Sequence, residues 1–363
     1  MIPVTKTFFP PIDEYQAQIT RIWSNQWLTN RGELVLELEG KITSYLNLKD
    51  TRIIMMNNGT IPLQIALKLL GKGGEVITTP FSYVATTAAI VWENCTPVFV
   101  DIHPEYLTID ESKIEEAITD KTTCILATHV FGNPCNIEVI ESIAHKHNLK
   151  VIYDAAHCFG VTYQGKSIFE YGDISTTSFH ATKLFHTGEG GALFTKDQDL
   201  FHQCFYSHNF GHNGPLEFHG LGINGKISEL HAAMGLAVLP HMEDILLSRK
   251  VLVETYNKFL DWSKIQKVKL RNDTFWNYSY FPILFDSEEK LLVTVDKLNG
   301  SGIHPRRYFY PSLNNLSYID CNNKNEISNN VAQRILCLPL YHNLSLTDVN
   351  FICQLVLAVL NDV

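Results

Sequence analysis

Two charged side chains follow strand candidates, near the ends where open α/β sheets hold their ligands. Asp154 closes Val151-Ile152-Tyr153-Asp154 and is followed by Ala155-Ala156-His157. Lys183 comes 29 positions later, after the run Ile174–Phe179, in Ser178-Phe179-His180-Ala181-Thr182-Lys183. A carboxylate among apolar neighbours calls for a cationic partner, and a protonated pyridine nitrogen would serve. The plainer reading is an aspartate that caps a strand end. A lysine is seldom buried without purpose. Desolvation, or a second cation nearby, lowers its pKa and frees the amine as a nucleophile. A solvated surface lysine is the plainer alternative here.

A third motif, Asn58-Gly59-Thr60-Ile61-Pro62, follows a strand and opens a helix. Thr60 is placed to cap that helix, and Pro62 lies in the first turn, where its missing N–H costs nothing. A helix N-terminus preceded by glycine offers N–H groups and a positive dipole end to a phosphate. Ordinary capping explains the same residues. It is the combination that points further. Chemistry on pyridoxal phosphate (PLP) requires a Schiff-base lysine and an acid facing the ring nitrogen.

The elements that must position these groups alternate along the chain. Strands are expected at Ile53–Asn57, Glu75–Thr79, Pro97–Val100, Cys124–Val130, Val151–Asp154, Ile174–Phe179 and Gly191–Thr195. Helical periods fall between them at Pro62–Leu70, Ser112–Ala117 and Ile137–His147. Apolar strands joined by helices imply an α/β fold with a mainly parallel sheet covered on both faces. After about residue 240 the pattern changes. A long helical stretch from His231 to Leu260 leads to strands at Gln266–Leu270 and Tyr278–Leu284, then helices at Glu288–Leu298 and Leu346–Leu360. This gives a large domain over residues 1–245 and a smaller C-terminal α+β domain over 246–363. Asn322–Asn330 reads as an exposed loop.

Composition narrows the function classes. The chain has 363 residues, and a 45% hydrophobic content supplies a sizeable core. A net charge of -9 argues against a nucleic-acid partner but not against one phosphorylated ligand. The first residues, MIPVTKTFFPPIDEY, lack the apolar stretch of a secretory signal, and no apolar run reaches the ~20 residues of a membrane span. A cytoplasmic protein is expected. The eight cysteines are scattered without a CxxC pair, which suits buried reduced thiols and offers no metal-ligand spacing.

The ordered set NNGT, TTPFSYVATTAAI, PVFVDI, VFGNPC, DAAH, SFHATK, TGEGGALF and GLGINGKISELHAAMG resembles the DegT/DnrJ/StrS-type nucleotide-sugar aminotransferases. The likeness runs from about residue 8 to 345. It implies PLP fold type I, with a seven-stranded large-domain sheet between helices. It also implies PLP as cofactor, pyridoxamine phosphate in the half-reaction, L-glutamate as donor and a nucleotide-linked keto sugar as acceptor. By resemblance Lys183 is the Schiff-base lysine and Asp154 holds the pyridine nitrogen protonated. His157 lies near the phenolic oxygen, and Tyr83 stacks on the ring. Gly59, Thr60 and Ser178 contact the phosphate. Asn224, in GINGK, reaches the phosphate of the neighbouring subunit, so a homodimer with shared sites is implied. Arg306-Arg307-Tyr308-Phe309-Tyr310 matches a segment near the sugar nucleotide, giving Arg306, Arg307, Tyr308 and Tyr310 as substrate contacts. Their cationic and aromatic groups suit a diphosphate and a sugar face. Thr29 and Asn30, in Trp27-Leu28-Thr29-Asn30, match a loop lining the sugar site. One departure stands out: Leu184 replaces the asparagine that often follows the lysine.

Within the family, FFPP, WLTN, VFGNPC and GINGK resemble enzymes that aminate C4 of dTDP-4-keto-6-deoxyglucose. Their product is dTDP-4-amino-4,6-dideoxyglucose (viosamine), used for surface polysaccharide such as O-antigen. Amination at C3 of a 3-keto-6-deoxyhexose is the alternative. A PLP-dependent sugar dehydratase would carry histidine in place of Lys183. A non-enzymatic regulator is disfavoured by the intact Asp154, Lys183 and Ser178.

Overall fold

A computed structural model describes residues 1–319 and 325–362. Seven strands form the central sheet: β1 (Arg52–Met56), β2 (Glu75–Thr78), β3 (Thr96–Phe99), β4 (Thr122–Thr128), β5 (Lys150–Asp154), β6 (Ile174–Ser178) and β7 (Gly191–Thr195). Their order is β1-β7-β6-β5-β4-β2-β3. Only β7 runs antiparallel, pairing with β1 and β6; the remaining pairs are parallel. Strands β1 and β4 carry apolar residues on both sides because both sides are covered. Ile53 and Met55 pack into one core layer, while Ile54 and Met56 pack into the other. Ile125 and Ala127 divide from Cys124 and Leu126 in the same way. Two faces of helix burial follow from the period of two along a strand.

The helices are α1 (Ile12–Asn25), α2 (Glu33–Tyr45), α3 (Thr60–Ala66), α4 (Val84–Trp92), α5 (Ile137–His147), α6 (Gln198–Ser207), α7 (Glu229–Val238), α8 (Met242–Phe259), α9 (Glu288–Gly300), α10 (Glu326–Arg334) and α11 (Leu346–Asp362). The long helical stretch expected from His231 is two helices, α7 and α8, joined by a turn at Leu239–His241. Pro240 in that turn cannot donate a backbone hydrogen bond. Beyond it, β8 (Gln266–Lys267), β9 (Phe281–Leu284) and β10 (Ile335–Leu338) form an antiparallel sheet. Helices α8, α9 and α11 pack on it through a second core that includes Leu252, Phe281, Leu291, Leu336 and Ile352. Helix α8 spans both cores, with Ile245 in the first and Leu252 in the second.

Two expectations fail for reasons the local sequence does not carry. Ser112–Ala117 is not one α-helix but two single-turn 3₁₀ helices, Glu111–Lys113 and Glu115–Ala117. The Asn322–Asn330 loop is also wrong in part. Residues 322–324 lie outside the described residues, and Glu326–Arg334 is helix α10. Asp101, just beyond β3, accepts hydrogen bonds from the Ile327 and Ser328 amides, both at 2.8 Å. A remote carboxylate thus supplies the cap that this asparagine-rich stretch does not provide.

Candidate active site

A cleft of about 370 Å³ opens at the C-terminal ends of the parallel strands. Register places its deepest acid. Asp154, the last residue of β5, sits beside Thr128, the last residue of β4. Its carboxylate is buried and accepts hydrogen bonds from the Thr86 hydroxyl (2.7 Å) and the Ala156 amide (3.1 Å). Burial raises its pKa, and those hydrogen bonds together with the Lys183 charge oppose the rise.

Lys183 enters the cleft on the turn between β6 and β7. The Lys183 amide donates to the His180 carbonyl (2.8 Å), and Ala181 and Phe179 donate across the turn to Gly188 and Gly190 (2.7 Å each). Gly191 lets this hairpin meet the NNGT turn, since a Cβ there would lie 2.3 Å from the Asn58 carbonyl oxygen. Burial pushes the Lys183 ammonium down to about 8, against the pull of Asp154. Its Nζ stands 6.0 Å from the centre of the Tyr280 ring. Leu184 turns into the core instead of the cleft's polar lining.

His157 is fixed by the VFGNPC segment. Its Nδ1 accepts from the Phe131 amide (3.1 Å), so the neutral ring carries its proton on Nε2. Burial and the Lys183 charge hold its pKa well below the usual histidine value. Phe131 reaches this geometry with a φ of 57°, and its carbonyl accepts from Trp276 Nε1 (2.8 Å) and Ser279 Oγ (3.0 Å). Tyr280 and Phe309 pack against the same histidine, with ring centres at 4.7 and 5.9 Å.

Gly59, Thr60 and Ser178 meet on one wall. A Cβ on Gly59 would come 2.6 Å from the Ser178 Cβ, so glycine permits this contact. The cap of α3 corrects the sequence reading. Asn58, not Thr60, accepts from the Thr60 and Ile61 amides (2.8 and 2.9 Å), and Thr60 is the first helical residue. The Thr60 and Ser178 side chains remain on the cleft wall beside the positive end of α3. Tyr83, 58% exposed, offers an open aromatic face at the mouth.

The expected substrate residues separate. Arg306 and Tyr308 line the cleft. Arg306 makes no ion pair among the described residues, and its guanidinium lies 5.5 Å from the Tyr308 ring centre. Arg307 is not a cleft residue: it pairs with Glu288 (2.6 Å), donates to the Gln333 carbonyl (3.0 Å) and stacks on Tyr310 at 3.7 Å. Tyr310 leaves the cleft with it. The alternation of neighbouring side chains sends one arginine inward and the next onto α9 and α10. Thr29 and Asn30 are exposed and do not line this chain's cleft. Asn224 is exposed as well, with its side chain accepting from Lys226 Nζ (2.9 Å) and its backbone held to Asn57 (3.3 Å). Leu216, Phe218, Leu221 and Ile223, which precede it in sequence, are exposed. Sequence reasoning missed Tyr280, Phe309, Ser82, Thr86 and Thr128. Ser82 and Thr86 left a trace in their four-residue spacing within the quoted PFSYVATT run, and Phe309 sits inside the quoted Arg306–Tyr310 segment.

The donor set suits PLP. A buried carboxylate, a depressed lysine, an open aromatic face and hydroxyls at a helix N-terminus border one cleft. No group of His, Cys, Asp and Glu suited to a metal ion occurs among the described residues. Comparison with known proteins agrees. The family model described as DegT/DnrJ/EryC1/StrS aminotransferase matches residues 12–357. The chain is 40% identical over 355 residues to a dTDP-4-amino-4,6-dideoxy-D-glucose transaminase of Shigella dysenteriae, covering 96% of each chain. It is 39% identical over 368 residues to an Escherichia coli transaminase of the same name, covering 98% of each. The crystal structure of DesI in the presence of its TDP-sugar product superposes with a TM-score of 0.93 at 28% identity, covering 99% of this chain and 93% of that one. The cleft and the full-length match lead to one conclusion: this chain is a PLP-dependent enzyme of the DegT/DnrJ/EryC1/StrS aminotransferase family.

Proposed function

We propose that the enzyme moves the amino group of L-glutamate to C4 of dTDP-4-keto-6-deoxy-D-glucose, giving dTDP-4-amino-4,6-dideoxy-D-glucose. The observation that carries amine transfer is Lys183 beside the buried Asp154 in one cleft. The choice of sugar rests on the name of the Shigella dysenteriae relative, matched over nearly the whole chain. PLP, when bound, supplies a carbonyl carbon for the amine and a protonated ring that accepts electrons.

The chain's own residues divide the remaining work. Lys183, with a pKa near 8, exists partly as the free amine near neutral pH. It can therefore attack as a nucleophile and carry a proton to and from the reacting carbon. Asp154 keeps a negative charge against the ring nitrogen and so favours its protonated form. The Nε2–H of His157 would be the donor toward the phenolic oxygen of the bound cofactor. Tyr83 would stack on the ring, and Gly59, Thr60 and Ser178 would hold the phosphate beside α3. Arg306 and Tyr308 receive the diphosphate and sugar at the rim. Asn224 serves the site of a second copy. The exposed apolar residues that precede Asn224 in sequence support such a homodimer. No helix among the described residues is long and apolar enough to cross a membrane. We place the enzyme in the cytoplasm, supplying viosamine for polysaccharide such as O-antigen.

Incubation with dTDP-4-keto-6-deoxyglucose and glutamate tests the reading. Mass spectrometry should find an amine in place of the ketone, and NMR should put it on C4. An amine on C3, or no turnover of this sugar, contradicts the proposal.

A further inference from the structure

Asp154 stands at the end of a chain of buried hydroxyls that none of the roles above uses. Thr86 Oγ1 is 2.7 Å from Asp154 Oδ2. Ser82 Oγ is 2.8 Å from Thr86 Oγ1 and 3.2 Å from Thr128 Oγ1. Ser82, Thr86 and Thr128 are each at most 4% exposed. Three elements contribute: the loop after β2, the first turn of α4 and the end of β4. Donor counting sets their direction. An ionised carboxylate only accepts, so Thr86 donates its one hydroxyl proton to Asp154. The Thr86 oxygen must then accept from Ser82, and the Ser82 oxygen from Thr128. Every O–H dipole therefore points toward the carboxylate, and such chains strengthen one another in a low-dielectric site.

We propose that this directed chain, Thr128 to Ser82 to Thr86, holds the charge and aim of the Asp154 carboxylate, with Thr86 as its positioning residue. The inference rests on the reading of Asp154 as the acid facing the ring nitrogen. Burial works against a charged Asp154, and the Thr86 hydrogen bond is the first contribution that opposes it. The Ala156 amide and the Lys183 ammonium add to that opposition. The other ionisable neighbours contribute little charge: the Cys158 thiol is pushed far up and His157 is held neutral by burial. Tyr83 caps the same helical turn from which Thr86 projects. One turn thus carries both the aromatic offered to the ring and the donor to the acid.

Infrared difference spectra of the full-length chain, freed of cofactor, test the chain of hydroxyls. A protonated-carboxyl band that is absent in Asp154→Asn identifies Asp154, and its intensity against pH gives a midpoint. Thr86→Val keeps the shape and loses the donor. Its midpoint should rise by about one pH unit or more. Thr86→Ser should return it close to the wild-type value, and Ser82→Ala should raise it by less. A residue that only packed the core would not move this titration or be rescued by serine. An unmoved midpoint in both Thr86→Val and Ser82→Ala overturns the proposal, as does a Thr86→Ser variant that behaves like valine. PLP affinity measured on Asp154→Asn reports separately on the underlying reading. Wild-type affinity and wild-type ring protonation there would remove Asp154 from the ring nitrogen while leaving the infrared result to decide the hydroxyl chain.

Discussion

The floor of the cleft and its rim are built in opposite ways. The floor is Asp154, Thr128 and Lys183, each carried at or just beyond the end of a sheet strand and fixed by register. Asp154 and Thr128 are held by hydrogen bonds, and burial shifts the pKa values of Asp154 and Lys183. The rim is Arg306, Tyr308 and Tyr83, carried on loops, open to solvent in part and lightly partnered. A rigid floor suits groups that must keep one geometry through a reaction. A looser rim suits groups that meet a large and variable ligand. Substitutions should therefore separate by where they fall.

The largest effect is expected at the floor. Lys183→Ala should abolish transamination, followed as loss of amino-sugar product; near-normal turnover would exclude Lys183 from the chemistry. Asp154→Asn should bind PLP yet slow proton abstraction by about 10²–10³ in single-turnover experiments, because a charge facing the ring is lost. An unchanged rate would move the acid's role elsewhere.

Next comes the interface. Asn224→Ala should weaken PLP retention by about 1–3 kcal/mol if it loses a hydrogen bond to a charged phosphate. Subunit exchange sharpens this. Lys183→Ala mixed with inactive Asn224→Asp should regain activity, since each heterodimer joins one intact Lys183 to one intact Asn224. No recovery in proven heterodimers would end the shared-site account. The rim should give the smallest changes. Arg306→Ala should raise KM for the sugar nucleotide by about tenfold with kcat little altered. Arg307→Ala should leave both alone and lower stability by about 1 kcal/mol, read from denaturant unfolding, because its pair with Glu288 is structural.

The same division explains what could be read from sequence. Floor motifs are local: each places its chemistry within a few residues of an apolar strand, as in VIYDAAH and SFHATK. Gly191–Thr195 and Ile137–His147 match the structure end to end because period and caps coincide there. What stayed hidden depends on contacts across the chain. Asp101 caps α10 from 226 positions away in sequence. Asn58 takes the place of Thr60 as acceptor for the first amides of α3, a choice that composition does not specify. Tyr280 meets His157 across more than 120 positions, and Phe131, whose amide binds His157, is held in turn by Trp276 and Ser279. Arg306 and Arg307 are equal in sequence and differ only in which wall each faces.

The central claim is that a lysine with a lowered pKa on the floor captures the cofactor. Borohydride reduction of the PLP-loaded protein, followed by digestion and mass spectrometry, locates the attached residue, and repeating it across pH reads the amine. The cofactor should map to Lys183. Its rate of attachment should climb with pH and level off near 8, as the ammonium gives up its proton. Attachment at another lysine, or a rate still climbing beyond pH 10 as for an ordinary lysine, would contradict the account.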